Sequence, residues 1–401
     1  MVVSIRPTHS NNDDNGCSAI LFSTIPLLGS VLFAVAVMSR APVTMATYMM
    51  MVVGYGILAF ADGSLRFVKA RVVSHCFPDS TFTGLAFSSF GYSGQALSLY
   101  LTPYIAKTVS PVVAAWAATV ACGIGVLCAV GLTILLQHQT PQISKDSGNK
   151  LLTLSELRAL PEPYWWYILV IAFTPVCWVV KQTNLPDYLQ LRHGYTMAEA
   201  SQVTSLPPLI VLLTPLLCVI MQKIDCDGIV FTVSTAWVVP LYTLLGFCPA
   251  VNVYILALAD GIGVAISGVL VWRLLLLLSP ASHVGTLAGL MYLLRNMSIS
   301  GTSVATGYIL KRQKVTDLDE ALKGYQHFFI MLIIMSSTGV LCGVVMNVLD
   351  FQKGCTLNSR IKRWRQSSDE AIELMSTMPS SNNYCGVDDA NGDEVNEETS
   401  Y

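Results

Sequence analysis

The chain has 401 residues, of which 53% are hydrophobic and only 12% are charged. Soluble domains carry about 25% charged residues, so the composition excludes an ordinary soluble globular protein. The formal net charge of −2 gives no reason to expect nucleic acid as a partner. The 11 cysteines show no CxxC spacing, so the sequence supports neither a zinc site nor a disulfide frame. We expect no bound metal and no cofactor.

About ten apolar stretches follow one another along the chain, separated by short polar breaks. A helix needs about 20 mainly apolar residues to cross the hydrocarbon core of a bilayer. The runs are continuous and lack the alternation of barrel strands, so they predict an all-α polytopic membrane protein embedded in lipid. The predicted spans are residues 18–38, 43–68, 82–104, 111–137, 164–186, 203–222, 228–247, 251–278, 284–309 and 326–349.

The polar breaks divide the chain into five parts. Residues 1–17 form a polar N-terminal segment, and residues 138–163 link two helical bundles. The first bundle, residues 18–137, holds four spans, and the second, residues 164–350, holds six. Residues 351–401 form a tail that we expect to be disordered, because residues 366–401 are acidic and too poor in bulky apolar residues to fold. Lys and Arg gather in the linker and at the start of the tail, and the positive-inside rule places both in the cytoplasm.

Small residues and prolines mark positions where membrane helices pack or bend. Gly261, Gly263 and Gly268 share one span, and Gly285 and Gly289 open the next. This spacing favours close contacts between helices. Prolines interrupt several spans, which suits broken or rocking helices, although they are common in membrane helices generally.

Ionised side chains at bilayer depth are costly and usually face a cavity or a partner. Asp260 lies about 13 Å into its predicted span, and Arg295 lies near the middle of the next one. We expect both to serve a polar cavity, with a protonated carboxyl held by packing as the alternative for Asp260. Lys181 and Arg273 lie near span ends, where snorkelling to the surface is the alternative to a cavity role.

The sequence FADGSLRFVKARVV is the densest polar patch in any predicted span. Asp62, Arg66 and Lys69 follow one another at spacings of four and three residues, which places them on one helical face. They either flank a span that ends near residue 61 or line a polar cavity on a helix that continues. Hydropathy alone favours the flanking position.

Four stretches together resemble the major facilitator superfamily, in particular the branch of the lysosomal dipeptide transporter. They are SAILFSTIPLLGSVLFAV, the ADGSL patch, the long run ALADGIGVAISGVLVWRLLLLLSPASHVGTLAGLMYLLRNMS, and GCTLN after the last span. HVGTLAGLMYLLRNM is the most specific of them. The resemblance covers most of residues 16–360.

The resemblance implies two bundles that expose a midplane site alternately to the two sides of the membrane. On that plan the chain begins at the third of twelve helices and lacks the first two. The plan places Asp62, Arg66, Lys181 and Asp260 on helices that line the central cavity, and it places Arg295 on a supporting helix. These five are the predicted substrate-binding residues.

The chain also departs from the dipeptide branch. Where that branch resembles Gly-Gly-Glu-Ser-Leu, this chain has ADGSL, so its carboxylate, Asp62, falls one position earlier. A shift of one residue turns a side chain by about 100° on a helix. The branch also has an arginine near the position of Gly91, and this chain has no basic residue between Arg71 and Lys107. Dipeptide recognition is therefore not carried over by the resemblance.

The first functional hypothesis is a secondary transporter of a small polar or zwitterionic solute, with a dipeptide or an amino acid preferred. The alternative is a non-transporting accessory or scaffold protein that keeps the facilitator fold. An enzyme is not expected, because no catalytic motif is present. A single-pass or glycosylated accessory subunit is a candidate partner. The resemblance and the Tyr384–Val387 sequence, a sorting-signal pattern, point to a lysosomal or other endomembrane.

Overall fold

Helices make up nearly all of the computed structural model, which describes residues 11–39, 44–76, 91–139, 160–224, 226–279, 284–311 and 318–359. No strand occurs within these ranges. The helices are α1 (Asn11–Met38), α2 (Met45–Cys76), α3 (Gly91–Thr108), α4 (Pro111–Gln139), α5 (Glu162–His193), α6 (Met197–Ile210), α7 (Thr214–Ile224), α8 (Asp227–Ala236), α9 (Val238–Phe247), α10 (Val253–Leu278), α11 (Val284–Lys311) and α12 (Leu318–Gln352).

Eight helical stretches in the described ranges are long and apolar enough to cross a membrane. Two of them are pairs of shorter helices in near-continuous line, α6 with α7 and α8 with α9. The other two long helices, α3 and α11, carry more polar side chains. Because a lone helix satisfies its own backbone hydrogen bonds, this architecture suits the bilayer core. The predicted all-α polytopic membrane class is confirmed.

We call α1–α4 the N-terminal bundle and α5–α12 the C-terminal bundle. In the first, α1 packs against both α2 and α4. Gly29 on α1 and Gly54 on α2 bring the two backbones together: a Cβ on Gly29 would lie 2.8 Å from the Gly54 carbonyl oxygen. Small residues of this kind allow close packing where lipid provides no hydrophobic drive for helix association. The helix α2 continues beyond the second predicted span, which ends at residue 68, as far as Cys76.

The C-terminal bundle is organised around α5 and α10. α5 packs mainly against α12 and α11, and α10 packs mainly against α6 and α8. The two bundles meet where α3 contacts α6 and where α2 contacts α11. α5 and α10 touch each other only lightly, so any strong link between them has to come from long side chains.

Two of the spans in the C-terminal bundle are broken. The first break is a 3₁₀ turn, Val211–Leu213, which follows Pro207 and Pro208 and separates α6 from α7. The second is a local interruption at Trp237, between α8 and α9, where the backbone stays helical (φ −55°, ψ −30°) and Pro240 has no N–H to bond the Ala236 carbonyl. Pro215, the second residue of α7, has no N–H to bond the Val211 carbonyl and clashes with that preceding turn, which explains the first break. Both breaks lie against α10.

A short C-terminal segment, Cys355–Asn358, folds back onto the start of α8, and we call it the clasp. The Leu357 carbonyl accepts hydrogen bonds from the backbone N–H groups of Asp227 and Gly228. The Asn358 side chain accepts one from Ile229 N at 3.2 Å. The clasp thus satisfies donors at the first turn of α8, where Cys226 provides no side-chain cap.

Candidate functional site

An ion pair lies in the interior of the C-terminal bundle. Lys181 Nζ on α5 donates to Asp260 Oδ2 on α10 at 2.5 Å. The two residues are only 2% and 3% exposed. Two opposite charges can remain ionised at such depth only because each offsets the desolvation cost of the other. This pair is the strong link between α5 and α10.

Two further side chains surround the pair. Lys181 Nζ lies 5.5 Å from the centre of the Tyr242 ring on α9, a distance that suits a cation–π contact. Gln182, next to Lys181, donates its amide N–H to the Thr204 carbonyl on α6. Four spans therefore converge on the pair: α5, α6–α7, α8–α9 and α10.

Three buried oxygens of this cluster have no hydrogen-bond partner among the described residues: Asp260 Oδ1, the Tyr242 hydroxyl and Gln182 Oε1. A buried polar group without a partner costs about 1 to 3 kcal/mol. Unsatisfied groups therefore tend to be found where water, an ion or a ligand completes the hydrogen bonding. Asp260 Oδ1 and Gln182 Oε1 can only accept hydrogen bonds, so the cluster lacks donors to pair with them.

The pair and Tyr242 line a narrow pocket whose other walls are apolar. Lining residues include Leu185, Pro207, Leu241 and Leu256. In this conformation the pocket has room for about one water molecule. A solute larger than water would need α5 and α10 to move apart before it could reach the charges.

The predicted site residues are not all brought together. Lys181 and Asp260 meet, whereas Asp62 lies exposed on α2 in the other bundle. Arg66 belongs to the same helix, but its side chain lies outside the described residues. Arg295 is half-buried on α11, with its guanidinium carbon 5.8 Å from the Tyr292 ring centre. Arg295 is not among the residues that line the pocket of the pair.

Arg273 does not simply snorkel to the surface. Its Nε lies 2.8 Å from Asp227 Oδ2 at the start of α8, and the Asp227 side chain is only 5% exposed. This second pair joins α10 to α8 at the end of the bundle that carries the clasp. Within the described ranges, no group of three His, Cys, Asp or Glu side chains is placed to hold a metal ion.

The profile of the Major Facilitator Superfamily matches residues 19–303. The chain belongs to this superfamily. Among solved structures it is similar to one described as the crystal structure of a Major Facilitator Superfamily transporter, FucP, in the outward conformation. The TM-score is 0.52 at 15% sequence identity, with 81% of this chain and 83% of the other covered. This likeness shows the fold alone. No curated protein matches the chain.

The facilitator fold supports secondary transport in general, and the predicted superfamily is confirmed. Within that fold, sequence reasoning missed Tyr242 and Gln182. A tyrosine or a glutamine in an apolar run gives only a weak signal, because either can satisfy its polar group locally. The signal that could have indicated Gln182 is its position directly after Lys181, at the end of an apolar run.

Proposed function

We propose that this facilitator carries a small polar or zwitterionic solute across a membrane by alternating access, with a dipeptide or an amino acid as the preferred solute. The observation that carries the proposal is the buried Lys181–Asp260 pair with three unpartnered oxygens around it. Buried ionisable groups in membrane spans commonly mark the path of a solute.

The charge balance of the pair favours a zwitterion. A solute with one ammonium and one carboxylate group that enters between Lys181 and Asp260 replaces one ion pair by two, and the net charge of the pocket stays at zero. A solute with a single charge would leave one uncompensated charge in an apolar pocket, which costs several kcal/mol. The solute ammonium would also supply the donors that Asp260 Oδ1 and the Tyr242 hydroxyl lack.

The narrow pocket represents a closed state in this proposal. Solute entry requires α5 to separate from α10, and the broken helices beside α10 are suited to such movement because each break can absorb a change in direction. Arg295 on α11 would hold the anionic end of a solute on its way to or from the pair, and Asp62 with Arg66 would line the path from the other bundle. The protein would lie in a lysosomal or other endomembrane, with the linker and the tail on its cytoplasmic side.

The test is uptake by the purified full chain in liposomes, with a panel of labelled amino acids, dipeptides and sugars. Asp260→Asn and Arg295→Gln should each reduce the initial rate for the transported solute at least several-fold, when the rate is normalised to the amount of folded protein in the liposomes. The double variant Lys181→Met/Asp260→Asn is the control for folding, since it removes both charges together. If the double variant folds and transports normally, the pair is not part of the solute site.

A second candidate, a non-transporting accessory protein, is favoured by the tight closure of the pocket around the pair. Well-folded protein that moves no member of the panel would support this alternative and contradict the first proposal.

A further inference from the structure

Trp237 occupies an unusual depth for a membrane tryptophan. It lies at the break between α8 and α9, about 15 Å along the axis from the start of α8. Tryptophans of membrane proteins concentrate at the two interfaces, where the indole N–H reaches water. At mid-span a protein partner stabilises the N–H, because hydrocarbon offers no acceptor.

The partner that Trp237 uses is next to the buried ion pair. The indole Nε1 donates to the Ala259 carbonyl at 3.0 Å, one residue before Asp260. Ala259 also lies within the regular helical part of α10, so this carbonyl does not depend on Trp237 to be satisfied. The hydrogen bond therefore satisfies Trp237 and fixes the turn of α10 that presents Asp260.

The α10 turn that carries Asp260 is also closely packed on two sides. A Cβ on Gly263 would lie 3.1 Å from Trp237 Cδ1, so glycine leaves the space that the indole needs. On the other side, a Cβ on Gly261 would lie 2.8 Å from Ile210 Cβ, just before the 3₁₀ turn between α6 and α7. The turn that carries Asp260 is thus held between the two broken helices.

We propose that Trp237 is a positioning residue that keeps Asp260 aimed at Lys181, and that it links the break between α8 and α9 to the α5–α10 ion pair. Trp237 does not contact Lys181 among the described interactions, so its influence on α5 passes through Asp260. A movement of α8 and α9 at Trp237 therefore shifts the α10 turn through the indole and tightens or loosens the pair. The effect on solute transport rests on the proposed function, whereas the link between Trp237 and the pair does not.

The experiment measures backbone amide hydrogen exchange in the full chain, in detergent or lipid nanodiscs and without solute. Trp237→Phe keeps an aromatic ring and removes the N–H. Exchange should accelerate about threefold to tenfold in the α10 peptide around residue 260, the size expected from losing one interhelical hydrogen bond. Exchange should also accelerate in the α5 peptide around Lys181, which Trp237 does not touch. In the Asp260→Asn background, Trp237→Phe should add nothing further in α5.

Trp178→Phe is the matched control, since the Trp178 indole nitrogen has no partner among the described residues and lies in α5 itself. This variant should leave exchange near Lys181 unchanged. If Trp237→Phe accelerates exchange only in α8 and α10, or acts on α5 equally with and without Asp260, the link to the pair is wrong. If Trp237→Phe does not fold, benzothienylalanine at position 237 keeps the size of the indole without its N–H and gives the same test.

Discussion

Lys181 and Asp260 join α5 to α10 through one ion pair, although these two helices otherwise touch only lightly. The pair lies inside the C-terminal bundle, with Tyr242 of α9 and Pro207 of α6 on its flanks. It therefore connects the proposed solute path to the internal packing of the bundle. A change in the state of either charge would act on the contact between α5 and α10.

Removing one charge of this pair should destabilise the protein more than removing both. In Lys181→Met or Asp260→Leu, the remaining partner is a buried charge without compensation, which costs about 3 to 5 kcal/mol. The double variant Lys181→Met/Asp260→Leu replaces the pair by two apolar side chains of similar size and should recover most of the lost stability. Thermal unfolding of the detergent-solubilised protein checks this, with Tm falling in each single variant and recovering in the double variant. A double variant that melts below both single variants would contradict the description of the pair as mutually compensating.

Much of the fold could be predicted from the sequence because hydropathy depends only on local composition. Continuous apolar runs indicated helices, and Asp260 and Lys181 stood out because ionised groups are rare at that depth. Their pairing could not be predicted, since the two residues are separated by 79 positions and meet only after four spans pack together. Arg273 is a similar case, because nothing local indicates that its partner is Asp227.

The close helix contacts predicted from the glycine spacing were correct in part. Gly261 and Gly263 do lie in close contacts, whereas a Cβ on Gly268, Gly285 or Gly289 would meet no heavy atom of the described residues within 4 Å. Spacing along a helix indicates which residues share a face, but it does not say which face meets a neighbour. That choice depends on the packing of the whole bundle.

Gly261→Ala should therefore be much more harmful than Gly268→Ala in the same helix. At position 261 the new methyl group would lie 2.8 Å from Ile210 Cβ and 3.0 Å from Pro207 Cα, so α6 would have to move away from α10. At position 268 the methyl group meets open space, and alanine favours a helix by about 1 kcal/mol over glycine. We expect Tm to fall by several degrees in the first variant and to stay equal or rise slightly in the second. Equal effects of the two substitutions would show that the α6–α10 contact is not tight.

The clasp should depend on Asp350, which is 1% exposed at the end of α12. Asp350 Oδ1 accepts hydrogen bonds from Thr356 N at 2.8 Å and from Thr356 Oγ1 at 2.7 Å, and Oδ2 accepts one from Asn358 Nδ2 at 3.1 Å. Asparagine would remove the charge and replace one acceptor by an N–H donor that faces other donors.

Asp350→Asn should therefore release the clasp from α8 and expose the N–H groups of Gly228 and Ile229, which the clasp now satisfies. Amide exchange should accelerate at the first turn of α8, and Tm should fall, since hydrogen bonds to a charged group contribute about 1.5 to 3 kcal/mol each. Asp319→Asn is the matched control, because this carboxylate is exposed at the opposite end of the same helix. Unchanged exchange at the start of α8 in Asp350→Asn would mean that Leu357 and Asn358 hold their positions without the carboxylate, through their own contacts to α8.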